Sequence, residues 1–211
     1  RVLTNPPFSI NWGTADKNAD GTPAWVPKFP ERFTYGQVPL GAKKADLMFL
    51  QHMLAVTRDG GMVATVMPHG VLFRGGEERA IRKGIVDEDL LEAVIGLAPN
   101  LFYGTGIPAC ILVIDKEHAQ ARTGIFMVDA SAHFIKDGPK NRLREQDIHR
   151  IVDVFTRLDG SDPRYARMVG VGEIERNGYN LNLPRYIDSQ TSEDLQDIEG
   201  HLNGGMPVAD I

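Results

Sequence analysis

Three apolar runs in the central part of the chain have the length and composition of β-strands. They occupy residues 62–67, 91–97 and 109–115, and glycine or proline lies close to each of them. The first run is apolar almost throughout, which is typical of a strand covered on both faces. These runs predict the strands of a buried central sheet.

Segments with helical spacing alternate with the predicted strands. Residues 45–57 carry apolar side chains on a broad face, which indicates a buried helix, and Gly60 and Gly61 supply its stop. Residues 76–86 and 143–158 alternate charged and apolar side chains as amphipathic helices do. The order strand, helix, strand, helix, strand, strand predicts an α/β fold built on an open sheet.

Shorter segments complete the predicted sheet. A strand end occupies residues 1–4, a short strand 125–128 and a weak strand 168–174. The glycine-rich connection at 100–108 is short, so the two strands that flank it are predicted to be antiparallel. This last pair would close an otherwise parallel sheet.

Composition excludes several classes of protein. The chain has 211 residues, 42% of them hydrophobic, yet no apolar run is long enough to cross a bilayer. The one cysteine, Cys110, cannot form an internal disulfide and is expected to be a small buried strand residue, in keeping with a reducing cytoplasm. The six histidines show no paired ligand spacing, so no metal site is predicted.

The net charge of −5 bears on nucleic-acid binding. A protein that gripped DNA alone would usually be basic. Any DNA contact would therefore use a local basic surface, or a partner would supply much of the contact with phosphates.

The segment Asn5-Pro6-Pro7-Phe8 carries the strongest chemical signal. Methylation of an exocyclic amine such as that of adenine needs acceptors for both amine hydrogens, so that the nitrogen lone pair is directed toward the methyl donor. Asn5 offers a side-chain carbonyl and Pro6 a main-chain carbonyl, which two rigid prolines hold in place. Phe8 offers a flat face to a base that has left the helical stack. Because open α/β sheets bind ligands at the carboxyl ends of their strands, all four residues are predicted to be catalytic.

Residues 9–44 predict a long irregular loop, since they contain many glycines and prolines. Loops of this length inside a domain tend to be functional or mobile. Trp12, Trp25 and Tyr35 lie in the loop. They either stack on bases or, as is more usual for loop aromatics, anchor the loop on its own domain.

Five further segments, together with Asn-Pro-Pro-Phe, resemble one known family. They read KADLMF at 44–49, PHGVLFRGG at 68–76, AVIGL at 93–97, NLFYGTGIP at 100–108 and YNLNLPRY at 179–186. Residues 1–188 thereby resemble the methylation (modification) subunit of type I restriction–modification systems. The resemblance implies the carboxyl-terminal part of a Rossmann-like methyltransferase domain that transfers methyl from S-adenosylmethionine to adenine N-6 in double-stranded DNA. It also implies a specificity subunit that reads the DNA and a restriction subunit that cleaves it.

In this family the half of the domain that binds the methyl donor precedes Asn-Pro-Pro-Phe, and nothing precedes Arg1 here. We therefore assign no donor-binding residue and expect the 211 residues alone to be inactive. The strand at 1–4 would also lack a neighbour, so self-association through its edge is expected. The acidic, polar segment 189–211 is expected to begin an extension that contacts a partner.

Basic and aromatic residues near the predicted strand ends are weaker candidates for contacts with DNA. The four retained as candidate DNA-binding residues are Lys43, Lys44, Arg74 and Tyr103. Within the predicted helix at 76–86, by contrast, the charged side chains of Arg79, Arg82 and Lys83 are expected to form a solvated face.

Three other residues have structural interpretations that outweigh functional ones. Asp46 is expected to cap the helix that begins near it. His69 follows a strand and is expected to anchor a loop. Phe102 lies near the predicted base pocket and is expected to pack within the domain rather than to hold a flipped base.

Two other functions are open. The same acceptor geometry would serve a methyltransferase acting on an RNA base or on a protein glutamine. The second possible function is that of a non-catalytic remnant of a methyltransferase, which binds only DNA or a partner subunit. A glycine-rich turn after a strand, encoded upstream of Arg1, would favour a complete enzyme, whereas a start codon immediately before Arg1 would favour the remnant.

Overall fold

A mixed β-sheet lies at the centre of the computed structural model, which describes residues 1–188. The sheet strands are β1 (Val2–Thr4), β2 (Met62–Pro68), β3 (Leu91–Gly96), β4 (Ala109–Asp115), β5 (Gly124–Asp129) and β8 (Ala166–Gly170), and a separate hairpin consists of β6 (Ile135–Asp137) and β7 (Lys140–Arg142). The helices are α1 (Asp46–Val56), α2 (Glu77–Asp87), α3 (Glu145–Arg157) and α4 (Val171–Arg176). The predicted tail at 189–211 lies outside the described residues. Between residues 1 and 188, no helix is both long enough and apolar enough to cross a bilayer.

The strand order is β1-β2-β4-β3-β5-β8. The antiparallel pairing predicted across 100–108 is confirmed, because β3 and β4 are antiparallel. Its predicted place is wrong: β4 does not close the sheet but lies inside it, antiparallel also to β2. An interior position pairs both edges of this apolar strand with neighbouring strands, and Cys110 within it is fully buried as predicted. The remainder is also not wholly parallel, since β5 and β8 are antiparallel.

Helices cover the two faces of the sheet unequally. On one face, α1 and α2 pack with strand residues such as Val63 and Leu112 in the larger core cluster. On the other, Ile151 of α3 packs against Phe126 and Val128 of β5. The predicted helices are confirmed, and the parallel strands β1, β2, β3 and β5 end at the same edge of the sheet.

The segment predicted as a weak strand at 168–174 is wrong in its second half. The strand β8 ends at Gly170, and the chain continues as the helix α4. Gly170 pairs with Gly124, the first residue of β5, so a longer β8 would have no partner strand there. Ile174 reaches the core from α4 instead.

The loop at 9–44 has no α-helix, in agreement with the prediction, but contacts anchor it on the domain. The ring of Trp12 meets those of Trp25 and Phe33 edge to face, with centroids 5.1 and 5.0 Å apart. The main-chain N–H of Tyr35 donates to Gln51 Oε1 at 3.0 Å, and the ring of Tyr35 lies so close to Gly84 of α2 that a Cβ there would stand 2.4 Å from it. Because Trp12 and Tyr35 also pack against the core, they act as anchors, whereas Trp25 contacts Trp12 within the loop.

Candidate functional site

An open cavity of about 450 Å³ lies at the carboxyl end of β1. One wall is the turn formed by Asn5, Pro6, Pro7 and Phe8. Because β1 ends after Thr4, the chain leaves the sheet at this point and Asn5 is exposed at the mouth. The four residues predicted to be catalytic thus share one cavity.

The opposite wall is the connection between β3 and β4, with Phe102, Tyr103, Gly104 and Thr105 lining it. The rings of Phe8 and Phe102 meet edge to face, with centroids 5.8 Å apart and planes at 67°. Tyr103 is 94% exposed at the rim. Phe102 therefore packs against Phe8, as expected, and its ring also lines the cavity.

A hairpin that the sequence did not predict supports this second wall. From β7, Lys140 donates its Nζ to the main-chain oxygens of Phe102, at 2.6 Å, and Thr105, at 3.0 Å. The neighbouring Asn141 donates its amide to the oxygen of Pro99 at 2.7 Å. These bonds hold the glycine-rich connection in place. The one sequence signal for this hairpin is the pair Gly138-Pro139, which favours a turn directly before Lys140 and Asn141.

A buried carboxylate supports the first wall. Asp46 Oδ1 accepts the main-chain N–H of Ser9 at 2.7 Å, directly after Phe8. The prediction that Asp46 caps α1 is wrong, because Ala45 is the N-cap and Asp46 lies in the first helical turn, turned toward Ser9. Sequence reasoning did not identify Ser9 as part of the site.

Ion pairs involve two of the four residues predicted to contact DNA. Arg74 Nη1 lies 3.2 Å from Asp46 Oδ2 and 3.3 Å from Glu78 Oε1. Lys44 Nζ lies 3.9 Å from Glu78 Oε2. Lys43 is exposed, and Tyr103 lines the cavity. The structure thus brings only Tyr103 of the four into the cavity wall.

The solvated face predicted on α2 is wrong for one residue. Arg82 is buried and donates to the main-chain oxygens of Tyr179 and Val71. Burial lowers the pKa of its guanidinium to about 10. Arg82 therefore fastens the segment that follows α4 to the core.

A second, smaller cavity of about 190 Å³ lies along the same edge of the sheet, lined by residues that include His69, Asp129 and Ser131. Burial lowers the pKa of His69, and the Asp129 carboxylate opposes that shift. The main-chain N–H of His69 donates to the oxygen of Pro108 at 2.9 Å. This main-chain bond ties the end of β2 to the start of β4, but any residue except proline could make it, so the loop-anchoring role expected of the His69 side chain stays a prediction.

Known proteins match most of the chain. The N-6 DNA Methylase family matches residues 1–195. The type I restriction enzyme MpnII methylase subunit of Mycoplasma pneumoniae is 34% identical over 198 residues, which are 94% of this chain and 35% of that protein. The MjaVII methylase subunit of Methanocaldococcus jannaschii is 35% identical over 193 residues, which are 88% of this chain and 32% of that protein.

A solved structure is also similar to this chain. The crystal structure of the type I restriction–modification system methyltransferase subunit from Streptococcus thermophilus superposes with a TM-score of 0.74 at 35% identity, covering 89% of this chain and 37% of that one. The chain spans about a third of the length of these three proteins. The resemblance drawn from the residues is confirmed. With the family matched from residue 1 to 195, the chain belongs to the N-6 DNA methylase family.

Proposed function

We propose that this chain supplies the target-base side of a DNA adenine N-6 methyltransferase, as part of the methylation subunit of a type I restriction–modification system. The observation that carries the proposal is the cavity between Asn5-Pro6-Pro7-Phe8 and Phe102 at the carboxyl end of β1. Residues 1–188 would form the carboxyl-terminal part of the catalytic domain and the second half of a Rossmann-like sheet. The family match and the relatives' names support this reading.

The two walls suit a flipped base. A cavity of about 450 Å³ is within the range of small-molecule sites. The half-buried ring of Phe8 offers a stacking face, and such contacts contribute about 1–3 kcal/mol per base. Adenine has to leave the duplex stack before its amine reaches Asn5.

The acceptors explain the chemistry on the amine. The Asn5 side-chain oxygen and the Pro6 main-chain oxygen would each accept one amine hydrogen. Both are neutral oxygens, so they draw the hydrogens into the plane they define and free the nitrogen lone pair without removing a proton. Two prolines with fixed φ hold the second acceptor at little entropic cost on binding.

S-adenosylmethionine would supply the methyl group as an electrophile bound next to this cavity. The residues that line the cavity fit a base better than they fit this donor. Within residues 1–188, the cavity wall contains one amide and four aromatic or hydroxyl side chains besides prolines and glycine, and no carboxylate to receive ribose hydroxyls. We assign no donor-binding residue to this chain.

Contacts with DNA outside the flipped base would be shared between this chain and a partner subunit. Tyr103 at the rim and the exposed Lys43 are the proposed contacts from this chain. With a net charge of −5, we propose that a specificity subunit supplies most of the phosphate contacts and reads the sequence, and that a restriction subunit joins for cleavage.

The test uses the full-length protein that carries this chain, assembled with its specificity subunit. Labelled S-adenosylmethionine is incubated with duplex DNA, and the digested nucleosides are analysed by mass spectrometry. We expect N6-methyladenine in DNA, formed at least about 10²-fold more slowly with Asn5→Ala. Methyl groups found on RNA or on a protein glutamine instead of DNA, or an unchanged rate with Asn5→Ala, would refute the proposal.

A further inference from the structure

Asp46 is a carboxylate that the proposed chemistry does not use, although it lies directly beneath the proposed catalytic turn. It is 1% exposed, in the first turn of α1. Its Oδ1 accepts the N–H of Ser9 at 2.7 Å, and its Oδ2 lies 3.4 Å from the Ser9 hydroxyl. Burying a carboxylate is costly unless the charge is paired and hydrogen-bonded, so the partners of Asp46 explain why the core tolerates it.

Ser9 has an unusual backbone conformation. Its φ is 50°, in the left-handed region that residues other than glycine rarely adopt. The strain occurs one residue after Phe8, where the chain turns away from the cavity. Pro6 and Pro7 carry no N–H, so the turn has few main-chain donors with which to hold itself. The charge-assisted bond from Ser9 to Asp46 offsets the strain and ties the end of the turn to α1.

Asp46 belongs to a set of oppositely charged side chains at the start of α1 and α2. Arg74 bridges Asp46 and Glu78, and Lys44 approaches Glu78 from the other side. Glu78 is fully buried. The set contains two cations and two carboxylates, so its charges cancel within one cluster. The ends of α1 and α2 and the catalytic turn are thereby joined through one guanidinium.

We propose that Asp46 is a positioning residue for the methyl transfer, which holds Asn5-Pro6-Pro7-Phe8 in its reactive geometry through the main chain of Ser9. This inference rests on the proposed function. It assigns Arg74 and Lys44 to the support of Asp46 rather than to phosphate contacts. Displacing a reacting group by about 1 Å costs on the order of 10²-fold in rate, so loss of this tether reduces kcat.

Asp147 provides a matched control. It is also buried in the first turn of a helix, where its carboxylate accepts the main-chain N–H of Arg144 at 2.9 Å and pairs with the Arg144 guanidinium at 2.8 Å. It differs in lying on α3, outside both walls of the cavity. Asp147→Ala therefore removes the same kind of interaction without releasing the catalytic turn.

The experiment compares Asp46→Ala, Asp46→Asn and Asp147→Ala in the full-length protein with its specificity subunit. We measure kcat, the KM for S-adenosylmethionine, the melting temperature, and deuterium exchange of the peptide that contains Ser9. Asp46→Ala should lower kcat by about 10²-fold with an unchanged donor KM and faster exchange at Ser9. Asp46→Asn keeps an oxygen for the Ser9 N–H, so it should recover part of kcat. Asp147→Ala should lower the melting temperature alone.

A normal kcat and normal Ser9 exchange in Asp46→Ala, with a melting temperature lowered as in Asp147→Ala, would overturn the positioning role. If Asp46→Ala does not fold, Asp46→Asn decides: wild-type kcat and exchange refute the role, and an intermediate kcat with faster exchange supports it. Failure of the proposed function has a different signature. In that case the unmodified assembly transfers no methyl to DNA, while exchange at Ser9 still reports on Asp46.

Discussion

Phe8 and Phe102 meet edge to face in the lining of the cavity, with their ring centroids 5.8 Å apart and their planes at 67°. Phe8 comes from the turn after β1, and Phe102 comes from the connection between β3 and β4. The contact therefore joins two parts of the chain that are distant in sequence. It brings both rings into one cavity, which the exposed side chains of Asn5 and Tyr103 also line.

The pair of phenylalanines should behave as a coupled unit in base binding. Aromatic pairs contribute about 0.5–1.5 kcal/mol beyond their buried area, so a double-mutant cycle with Phe8→Ala and Phe102→Ala should show coupling of that size. Binding of DNA with 2-aminopurine at the target position, followed by fluorescence, measures it. Strictly additive losses would show that the two rings do not act together on the base.

Asn5→Ala should slow methylation strongly while the fold persists. Asn5 is exposed, so its loss removes an acceptor from the cavity without leaving a hole in the core. By analogy with other preorganised hydrogen-bonding groups, kcat should fall by about 10²–10³-fold. Single-turnover methylation measures the rate, and circular dichroism checks the fold. Asn18→Ala, which changes another exposed asparagine in the loop at 9–44, should keep full activity.

Gln51→Ala should loosen the long loop. Gln51 is buried in α1, where its side chain accepts the N–H of Tyr35 at 3.0 Å and donates to the oxygen of Gly36 at 2.8 Å. Its removal leaves two main-chain groups unpaired, which costs about 1–3 kcal/mol. Limited proteolysis should cut residues 9–44 faster than in the unmodified protein. Gln37→Ala changes an exposed glutamine of the same loop, and equal cleavage of both variants would contradict the anchoring role of Gln51.

Acid should destabilise α3 through Asp147. Hydrogen bonding to Arg144 lowers the pKa of Asp147 from 3.8 to about 2. A lowered folded-state pKa gives stability that is present above the unfolded value of 3.8 and is lost as pH falls toward about 2. Melting temperatures measured across that interval should fall less steeply in Asp147→Asn than in the unmodified protein. Parallel curves for the two proteins would show that the pair has no part in acid unfolding.

Local pattern was sufficient for much of the fold. The apolar run at 62–67 and the broad apolar face at 45–57 predicted β2 and α1 to within a residue or two of their ends. Both predictions depend on the spacing of apolar side chains along the chain, which the sequence shows directly. The pattern failed at 168–174, because the end of β8 depends on where its partner β5 begins.

The candidate site was likewise predictable only in part. Asn5-Pro6-Pro7-Phe8 could be proposed as a catalytic motif without the structure, since the motif is contiguous and the proposed chemistry uses its own carbonyls and rings. Tertiary structure decided the rest: that Phe102 bounds the cavity, that Lys140 holds the second wall, and that Asp46 and Arg74 pair below the first. A charged side chain carries no local mark of whether it will be solvated or buried opposite another charge. That outcome depends on which distant segments the sheet brings together, and here the sheet order was needed to reveal it.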